Sequence, residues 1–160
     1  MGQEIERKFL VTGDAWRCGE CTTIRQGYLV TDKARTVRVR TKERAETGDT
    51  HAYLTIKGAT SGAARAEYEY EIPLTDAQEL LDQLCIRPLI EKHRYTLQHA
   101  EMTWEVDEFF GDNAGLIVAE IELDDADQSF AKPDWLGKEV TDDHRYFNAA
   151  LTQHPYREWS

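Results

Sequence analysis

The sequence is short of cysteine, and this shortage excludes two kinds of stabilised fold. Three cysteines in 160 residues are too few, and odd in number, for a disulfide framework. Cys18 and Cys21 form a C-x-x-C pair, but no second pair and no suitably spaced pair of histidines complete a zinc site. Cys85 follows an apolar helical stripe and is predicted to lie in the core.

Long apolar runs and secretory features are also missing. No stretch approaches the roughly 18–20 apolar residues that span a bilayer, and the start of the chain lacks a basic segment followed by an apolar one. We therefore expect a soluble, cytoplasmic protein with no membrane contact. Because linkers, repeats and low-complexity segments are absent as well, residues 1–160 are predicted to form a single domain.

Basic residues are outnumbered, with 19 Lys and Arg against 30 Asp and Glu and a net charge of −11. This balance argues against a nucleic-acid partner, since such proteins usually carry a basic stripe. It does not exclude a smaller anion, because a local cluster of Lys and Arg sets the potential inside a narrow cavity. The sequence contains neither a P-loop nor a nucleophilic Ser or Cys arrangement. Five scattered histidines are predicted to be structural or at the surface: His51, His93, His99, His144 and His154.

The first predicted strand, Glu4–Val11, has one charged and one apolar face. Glu4, Glu6 and Lys8 share the charged face, because successive side chains of a strand point to opposite sides. A charged face on a single strand is usually solvated. Here, however, the alternation recurs in nearly every predicted strand. The recurring charged or polar positions are Thr36, Arg38, Arg40, Lys42, Lys57, Glu67, Glu69, Glu71, Lys92, Arg94, Glu105, Asp107, Glu120 and Glu122.

Strand-like runs at hairpin spacing predict the fold class. They cover residues 4–11, 22–30, 35–43, 50–57, 65–73, 90–98, 103–109 and 116–124. Repeated charge on one face indicates either a sheet with a solvated side or a barrel with a polar interior. Eight such runs favour a closed eight-stranded antiparallel β-barrel, in a β-dominated α+β fold with flanking helices.

Two helices are predicted beside the barrel. Thr75–Gln78 has the form of a capping box, and the helix that follows ends before Pro88. Its apolar face is formed by Leu80, Leu81 and Leu84. A second helix is predicted over Thr141–Gln153, with Tyr146, Phe147, Ala150 and Leu151 on its buried face. Residues 154–160 are expected to form a loose tail.

The charged positions match a known family in order and spacing. Glu4-x-Glu6-x-Lys8, Arg38-x-Arg40, Lys57, Glu67-x-Glu69, Lys92-x-Arg94, Asp107 and Glu120-x-Glu122 follow one another along the chain. This set resembles the CYTH superfamily, the triphosphate tunnel metalloenzymes, from Glu4 to about Leu151. The short chain and the segment Arg25–Leu29 resemble the small bacterial inorganic triphosphatases in particular.

The resemblance implies a metal-dependent triphosphate site inside a tunnel. It implies phosphate contacts from Lys8, Arg38, Arg40, Lys57, Lys92 and Arg94. It implies one or two Mg²⁺ or Mn²⁺ ions held by Glu4, Glu6, Glu120, Glu122, Glu67, Glu69 and Asp107. Catalytic roles fall to Lys8, Tyr28, Glu67 and Glu69. Carboxylates near a polyanion are understandable only with a divalent cation between them, since oxygen ligands suit hard metals.

Several activities remain open within this resemblance. Hydrolysis of inorganic triphosphate, with some nucleoside triphosphate hydrolysis, is the main expectation. Thiamine triphosphate hydrolysis and cyclisation of ATP to cyclic AMP are the alternatives, and a non-enzymatic polyphosphate-binding module is a fourth. Similar proteins are often dimers, and Trp135, Tyr156 and Trp159 could supply an apolar contact for a homodimer.

Overall fold

The computed structural model describes residues 3–159, and nearly half of them belong to one antiparallel sheet of nine strands. The strands are β1 Gln3–Val11, β2 Glu20–Val30, β3 Arg35–Arg44, β4 Thr50–Gly58, β5 Ala64–Ile72, β6 Ile90–His99, β7 Met102–Phe109, β8 Ile117–Glu122 and β9 Leu136–Glu139. Their order in the sheet is β5-β4-β3-β2-β6-β7-β8-β1-β9, and β1 also pairs with β5. That last pairing closes β1–β8 into a barrel, which confirms the predicted fold class.

Strand β9 lies outside the eight predicted strands, the last of which covers residues 116–124. It pairs with the far end of β1, at Phe9 and Val11, while β5 pairs with the near end of β1 at Gln3 to Ile5. The closed barrel therefore keeps eight strands, and β9 extends its wall locally.

The first helix differs from its prediction at both ends. Helix α1 covers Leu74–Glu79 with Pro73 at the N-cap and no side-chain cap, so the predicted capping box is wrong. The helix continues as a π-helical turn over Leu80–Leu84. This wider turn breaks the 3.6-residue period, and Leu84 is consequently 66% exposed although Leu81 is fully buried.

The predicted helix over residues 141–153 is also wrong in its first half. Phe147 is extended, and it separates a 3₁₀ turn at His144–Tyr146 from helix α2, Asn148–Gln153. The tail is ordered for the part that the structure describes: a 3₁₀ turn follows Pro155, and the rings of Tyr156 and Trp159 pack edge to face at 5.0 Å. Ser160 lies outside the described residues.

The apolar core lies on the outer side of the barrel wall. Phe9, Trp104 and Trp135 pack together there, each pair of neighbouring rings meeting edge to face. Trp135 is therefore a core residue, which contradicts its predicted place in a dimer contact. A second cluster joins α1 to the barrel and includes Cys85, which is buried as predicted. Since apolar packing is outside, the interior is left to the charged face of each strand.

Within residues 3–159, no helix combines the length and the apolar character needed to cross a bilayer.

Candidate active site

The inward-facing side chains of the barrel line a cavity of about 530 Å³. All the predicted site residues except Asp107 line it, including Tyr28. Nine basic and eight acidic side chains line the cavity, so its interior lacks the excess negative charge of the whole chain. The alternation of charge in the sequence was therefore a signal of inward orientation rather than of solvation.

The carboxylates concentrate on one wall, formed by β8, β1 and β5. Glu6 of β1 stands directly opposite Glu122 of β8, and Lys8 stands opposite Glu120. Like charges directly opposite one another on neighbouring strands are unfavourable. The Lys8 ammonium relieves part of this repulsion: its Nζ donates to Glu6 Oε1 at 2.9 Å and lies 3.4 Å from Glu120 Oε1.

Crowding and burial give the carboxyl groups of this wall different pKa values. Burial, and then repulsion from Glu6, raises the pKa of Glu120. Burial also opposes ionisation of Glu6, but attraction by Lys8 together with a hydrogen bond from Glu120 outweighs it and lowers the pKa of Glu6 to about 2. Burial, then Glu4 and Glu6, raises the pKa of Glu122. The wall carries more negative charge than its own cations neutralise.

The chemistry of this wall fits a hard divalent cation. Its donors are all carboxylate oxygens, the ligands that Mg²⁺ and Mn²⁺ prefer. Glu4 Oε1 is buried without a hydrogen bond, although Lys57 Nζ lies 2.5 Å away as an ion pair. Within residues 3–159, no three acidic, His or Cys side chains are already arranged to hold a metal. Lys8 and Lys57 lie between the carboxylates and neutralise part of their charge.

The opposite wall is basic. Strands β2 and β1 are four positions apart in the eight-stranded ring, so β3, β2 and β6 face the carboxylate wall across the cavity. Arg38 and Arg40 of β3 are each only 6% exposed. Arg38 donates to Thr55 Oγ1 at 3.1 Å, but its Nε is buried with no partner. Arg40 makes no ion pair with any of the residues that the structure describes.

Burial of these cations has an electrostatic cost. Burial, and then repulsion from Arg38 and Arg94, lowers the pKa of Arg40. Burial, followed by Arg40 and Arg94, lowers the pKa of Lys42 to about 8. An unpaired buried cation is strongly unfavourable. A polyanion between the two walls would supply the missing counter-charge.

Asp107 is set apart from the other predicted metal ligands. It is 1% exposed and lies beneath the side chains that line the cavity, where both of its oxygens accept hydrogen bonds from Arg94 at 2.8 and 2.9 Å. Lys92 Nζ lies 2.7 Å from Asp107 Oδ2. Burial disfavours its charge, but these two cations hold the pKa of Asp107 far below its usual range. Its place in the structure is that of an anchor for Arg94 and Lys92.

Glu69 and Glu67 occupy different positions, although the sequence grouped them. Glu69 accepts a hydrogen bond from Thr55 Oγ1 at 2.8 Å and lies 3.5 Å from Arg38. Burial raises its pKa, yet these contacts lower it overall. Glu67 lies 3.6 Å from Lys57 and is closer to the carboxylate wall. Glu71, the next residue in the alternation, pairs with His51 at the surface instead.

Sequence reasoning missed several polar residues of the site. Gln26 is fully buried and bonds Arg40, and Asn148 of α2 bonds Lys92. Gln26 alternates with Tyr28 on β2, so its inward position could have been predicted from the period of two. Asn148 had no such signal, because it comes from a helix remote in sequence from the strands it contacts.

Residues ahead of α2 cover one side of the cavity. Phe147 and His144 stack at 4.7 Å and both line it. The Lys8 ammonium lies 5.6 Å from the centre of the Phe147 ring, within cation–π range. Sequence reasoning placed Phe147 on a buried helix face and His144 among structural or surface residues. The structure places both at the cavity, His144 at its exposed margin.

Comparison with known proteins agrees with this geometry. Residues 2–153 match the sequence profile of the CYTH domain. An inorganic triphosphatase from Acetivibrio thermocellus is 50% identical over 160 residues, covering 99% of both chains. An inorganic triphosphatase from Nitrosomonas europaea is 37% identical over 153 residues, covering 92% of this chain and 95% of its own.

Solved structures show the same fold. The crystal structure of an inorganic triphosphatase superposes with a TM-score of 0.64 at 36% identity and covers 93% of both chains. A putative adenylate cyclase from Bacillus halodurans gives a TM-score of 0.58 at 14% identity, covering 92% of this chain and all of its own, and this likeness concerns the fold alone. From the barrel, the two charged walls and these matches together, the chain belongs to the CYTH domain family.

Proposed function

We propose that this protein hydrolyses inorganic tripolyphosphate to pyrophosphate and phosphate, with some activity on nucleoside triphosphates, using Mg²⁺ or Mn²⁺. The observation that carries the proposal is the buried Arg40, which has no ion pair within residues 3–159 and faces a wall of carboxylates across the cavity. Only a ligand with strong negative charge and an accompanying cation satisfies both walls. The two relatives named as inorganic triphosphatases support the choice of substrate.

The basic wall would bind the phosphoryl groups. Arg38 and Arg40 offer planar N–H groups that match phosphate oxygens, and Lys92 and Arg94 add charge from β6. Because Asp107 anchors Lys92 and Arg94 from behind, these two cations keep a fixed direction. Once a metal binds the carboxylates, Lys8 and Lys57 would turn away from them and contact the phosphate oxygens of the substrate.

Glu4, Glu6, Glu120 and Glu122 would hold one divalent cation, and Glu67 would contribute to a second. When bound, the metal neutralises phosphate charge and lowers the pKa of an attacking water. The chain itself supplies position and exclusion of solvent. The Phe147 ring lies over the Lys8 ammonium, and the buried Tyr28 side chain lines the same cavity.

The catalytic roles can be assigned more finely from the contacts. Lys8 is the cation next to the carboxylate wall, so it would stabilise charge on the transferring phosphoryl group. Glu67 would orient the water, since it lies beside that wall. Glu69 would hold Arg38 in place, because its carboxylate is already occupied by Thr55 and Arg38. Tyr28 would assist Lys8 from the opposite side of the cavity, since it lies on β2.

A substrate panel tests the proposal. Purified protein is incubated with tripolyphosphate, pyrophosphate, ATP and thiamine triphosphate, each with Mg²⁺, Mn²⁺ or chelator, and phosphate and cyclic AMP are measured. We expect metal-dependent release from tripolyphosphate and poor turnover of pyrophosphate, because a shorter anion forfeits contacts that orient the terminal phosphorus. Comparable turnover of pyrophosphate, cyclic AMP as the main product, or binding without turnover would each overturn it. Location in the cytoplasm and dimer formation stay predictions.

A further inference from the structure

Two amide side chains, the buried Gln26 and the half-buried Asn148, connect the basic wall to the C-terminal helix. Asn148 of α2 accepts two hydrogen bonds on Oδ1, from Lys92 Nζ and from Gln26 Nε2, both at 2.9 Å. Gln26 in turn accepts a hydrogen bond from Arg40 Nε at 2.7 Å. Lys92 and Arg40, the two cations of this hydrogen-bond network, both belong to the proposed phosphate site.

The donor and the acceptor of every hydrogen bond in this network are fixed by the cations at its two ends. Lys and Arg side chains can only donate, so Asn148 must present oxygen to Lys92, and Gln26 must present oxygen to Arg40. The Gln26 amide nitrogen is then left to face Asn148. Gln26 is fully buried, and exchanging its two amide atoms would break both of its bonds. The network therefore has one arrangement.

The bonds also decide which donors remain for a ligand. An ammonium has three N–H donors, and Lys92 uses one on Asn148 and one on Asp107. One is left. Arg40 uses its Nε on Gln26, which leaves the terminal nitrogens of its guanidinium. The hydrogen bonds to protein thus hold each cation in place and leave part of its donors for a ligand.

The neutral charge of the two amides matters as well. A carboxylate in the position of Asn148 or Gln26 would fix the same cations but would cancel the charge needed to bind an anion. An amide oxygen accepts the hydrogen bond and leaves the cation's full charge. Lys92 already has Asp107 as a partner, while Arg40 has no ion pair within the described residues.

We infer that Asn148 and Gln26 are positioning residues of the triphosphate site, which hold Lys92 and Arg40 in direction without neutralising them. Helix α2 is in this way a part of the binding site rather than only a cover for the barrel. The inference rests on the proposed function for the identity of the anion. It does not depend on the metal, because neither amide belongs to the carboxylate wall.

The test compares Asn148→Leu, which removes the acceptor at nearly constant size, with Thr152→Val on the same helix. Thr152 is buried, does not line the cavity, and its hydroxyl has no hydrogen-bond partner within residues 3–159, so this change reports only on helix packing. Tripolyphosphate binding is measured by calorimetry in chelator, where no turnover occurs, and kcat and KM are then measured with Mg²⁺. We expect Asn148→Leu to weaken binding and raise KM by roughly 2- to 12-fold, as for one lost intramolecular hydrogen bond, and Thr152→Val to change both less than twofold.

A double-mutant cycle separates positioning from folding. If Asn148 acts through Lys92, then Asn148→Leu in a Lys92→Met background costs clearly less than in the wild-type background. Independent, multiplying effects would contradict the inference, as would a loss of affinity that follows only a lowered melting temperature. If Asn148→Leu does not fold, Gln26→Met in an Arg40→Ala background provides the same cycle.

The outcomes distinguish the inference from the proposed function. Wild-type protein that binds tripolyphosphate in chelator but never hydrolyses it contradicts the function and leaves the binding cycle as the test. Wild-type turnover with normal affinity in Asn148→Leu and Gln26→Met contradicts the inference alone.

Discussion

Individual side chains of the cavity show how two opposite charges can be buried together. Lys8 and Lys57 each lie between two carboxylates, whereas Arg40 and Lys42 make no ion pair among the described residues and have other cations as their strongest charged neighbours. Lys8 and Lys57 neutralise part of the carboxylate wall when no metal is bound. Arg40 and Lys42 remain available to bind an anion. A substitution on the carboxylate wall should therefore affect metal binding, and one on the basic wall should affect binding of the anion.

Glu122→Ala should reduce metal-dependent phosphate release by at least about a hundredfold, because it removes a carboxylate from the wall that would hold the divalent cation. The measurement is phosphate release over a range of Mg²⁺ concentrations. Glu71→Ala is the matched control, since Glu71 continues the same face of β5 beyond the cavity and pairs with His51 at the surface. Full activity of Glu122→Ala in excess chelator would exclude the carboxylate wall as a metal site.

Arg40→Ala should weaken tripolyphosphate binding by about 1–3 kcal/mol, the cost of a lost charge-assisted contact. Arg7→Ala is the control, because Arg7 points outward from β1 and pairs with Glu139 at 2.6 Å. Titration of tripolyphosphate in chelator measures both variants. Equal losses of affinity would show that Arg40 has no special contact with the anion.

At the level of elements, α1 and its π-helical turn pack on the outer face of β2 at Gly27. A Cβ at this position would lie 2.7 Å from Cys85 Cβ and 2.6 Å from Leu89 Cδ2. A glycine inside a strand often marks a close approach by another group, and here side chains of the flanking segment make that approach. The glycine therefore sets how closely the helix can lie on the barrel.

Gly27→Ala should lower the free energy of unfolding by about 1–3 kcal/mol, the usual cost of overpacking a core. Urea unfolding measures this effect. Gly58→Ala serves as the control, because its Cβ would meet only Ala66 Cβ at 3.4 Å, an ordinary contact. A stability of Gly27→Ala equal to that of Gly58→Ala would mean that the helix shifts without cost.

For the whole molecule, the buried ion pairs predict how stability depends on pH. Asp107, Glu6 and Glu69 have lowered pKa values in the folded protein. The unfolded chain takes up these protons first, so the stability that they contribute is present above about pH 4.5 and is lost as the pH falls towards 2. Burial with carboxylate neighbours raises the pKa of Glu120 and Glu122, and these two oppose stability as the pH rises above that range.

Urea unfolding at pH 7, 5, 4 and 3 should show a decline that begins near pH 4.5. Asp107→Asn should be less stable at pH 7 by about 3–5 kcal/mol, because it leaves buried cations uncompensated, and its decline with acid should be shallower. The exposed pair gives the control: Glu139→Gln should change stability by less than about 1 kcal/mol. A wild-type curve that is flat between pH 5 and 3 would contradict these pKa shifts.

Alternation of residue types was sufficient for much of the fold and for most of the cavity wall. A period of two fixes which side chains share a face, and charged faces that recur in nearly every strand must turn inward if the sheet closes around them. Glu4, Glu6, Arg38 and Arg40 followed from this rule. The predicted helices were wrong where the backbone departs from a regular α-helix, at the π-helical turn and at the extended Phe147.

The sequence by itself determined the strands, their inward faces and the presence of two kinds of charge, because these properties depend on neighbours along the chain. Only the tertiary structure decided how the charges pair. Asp107 follows the same alternation as Glu105, yet it lies beneath Arg94 and Lys92 and anchors them, while Glu105 lines the cavity. Asn148 reaches Lys92 across 56 positions of sequence. Contacts of this range are set by the closure and tilt of the barrel, and no local pattern of residues encodes them.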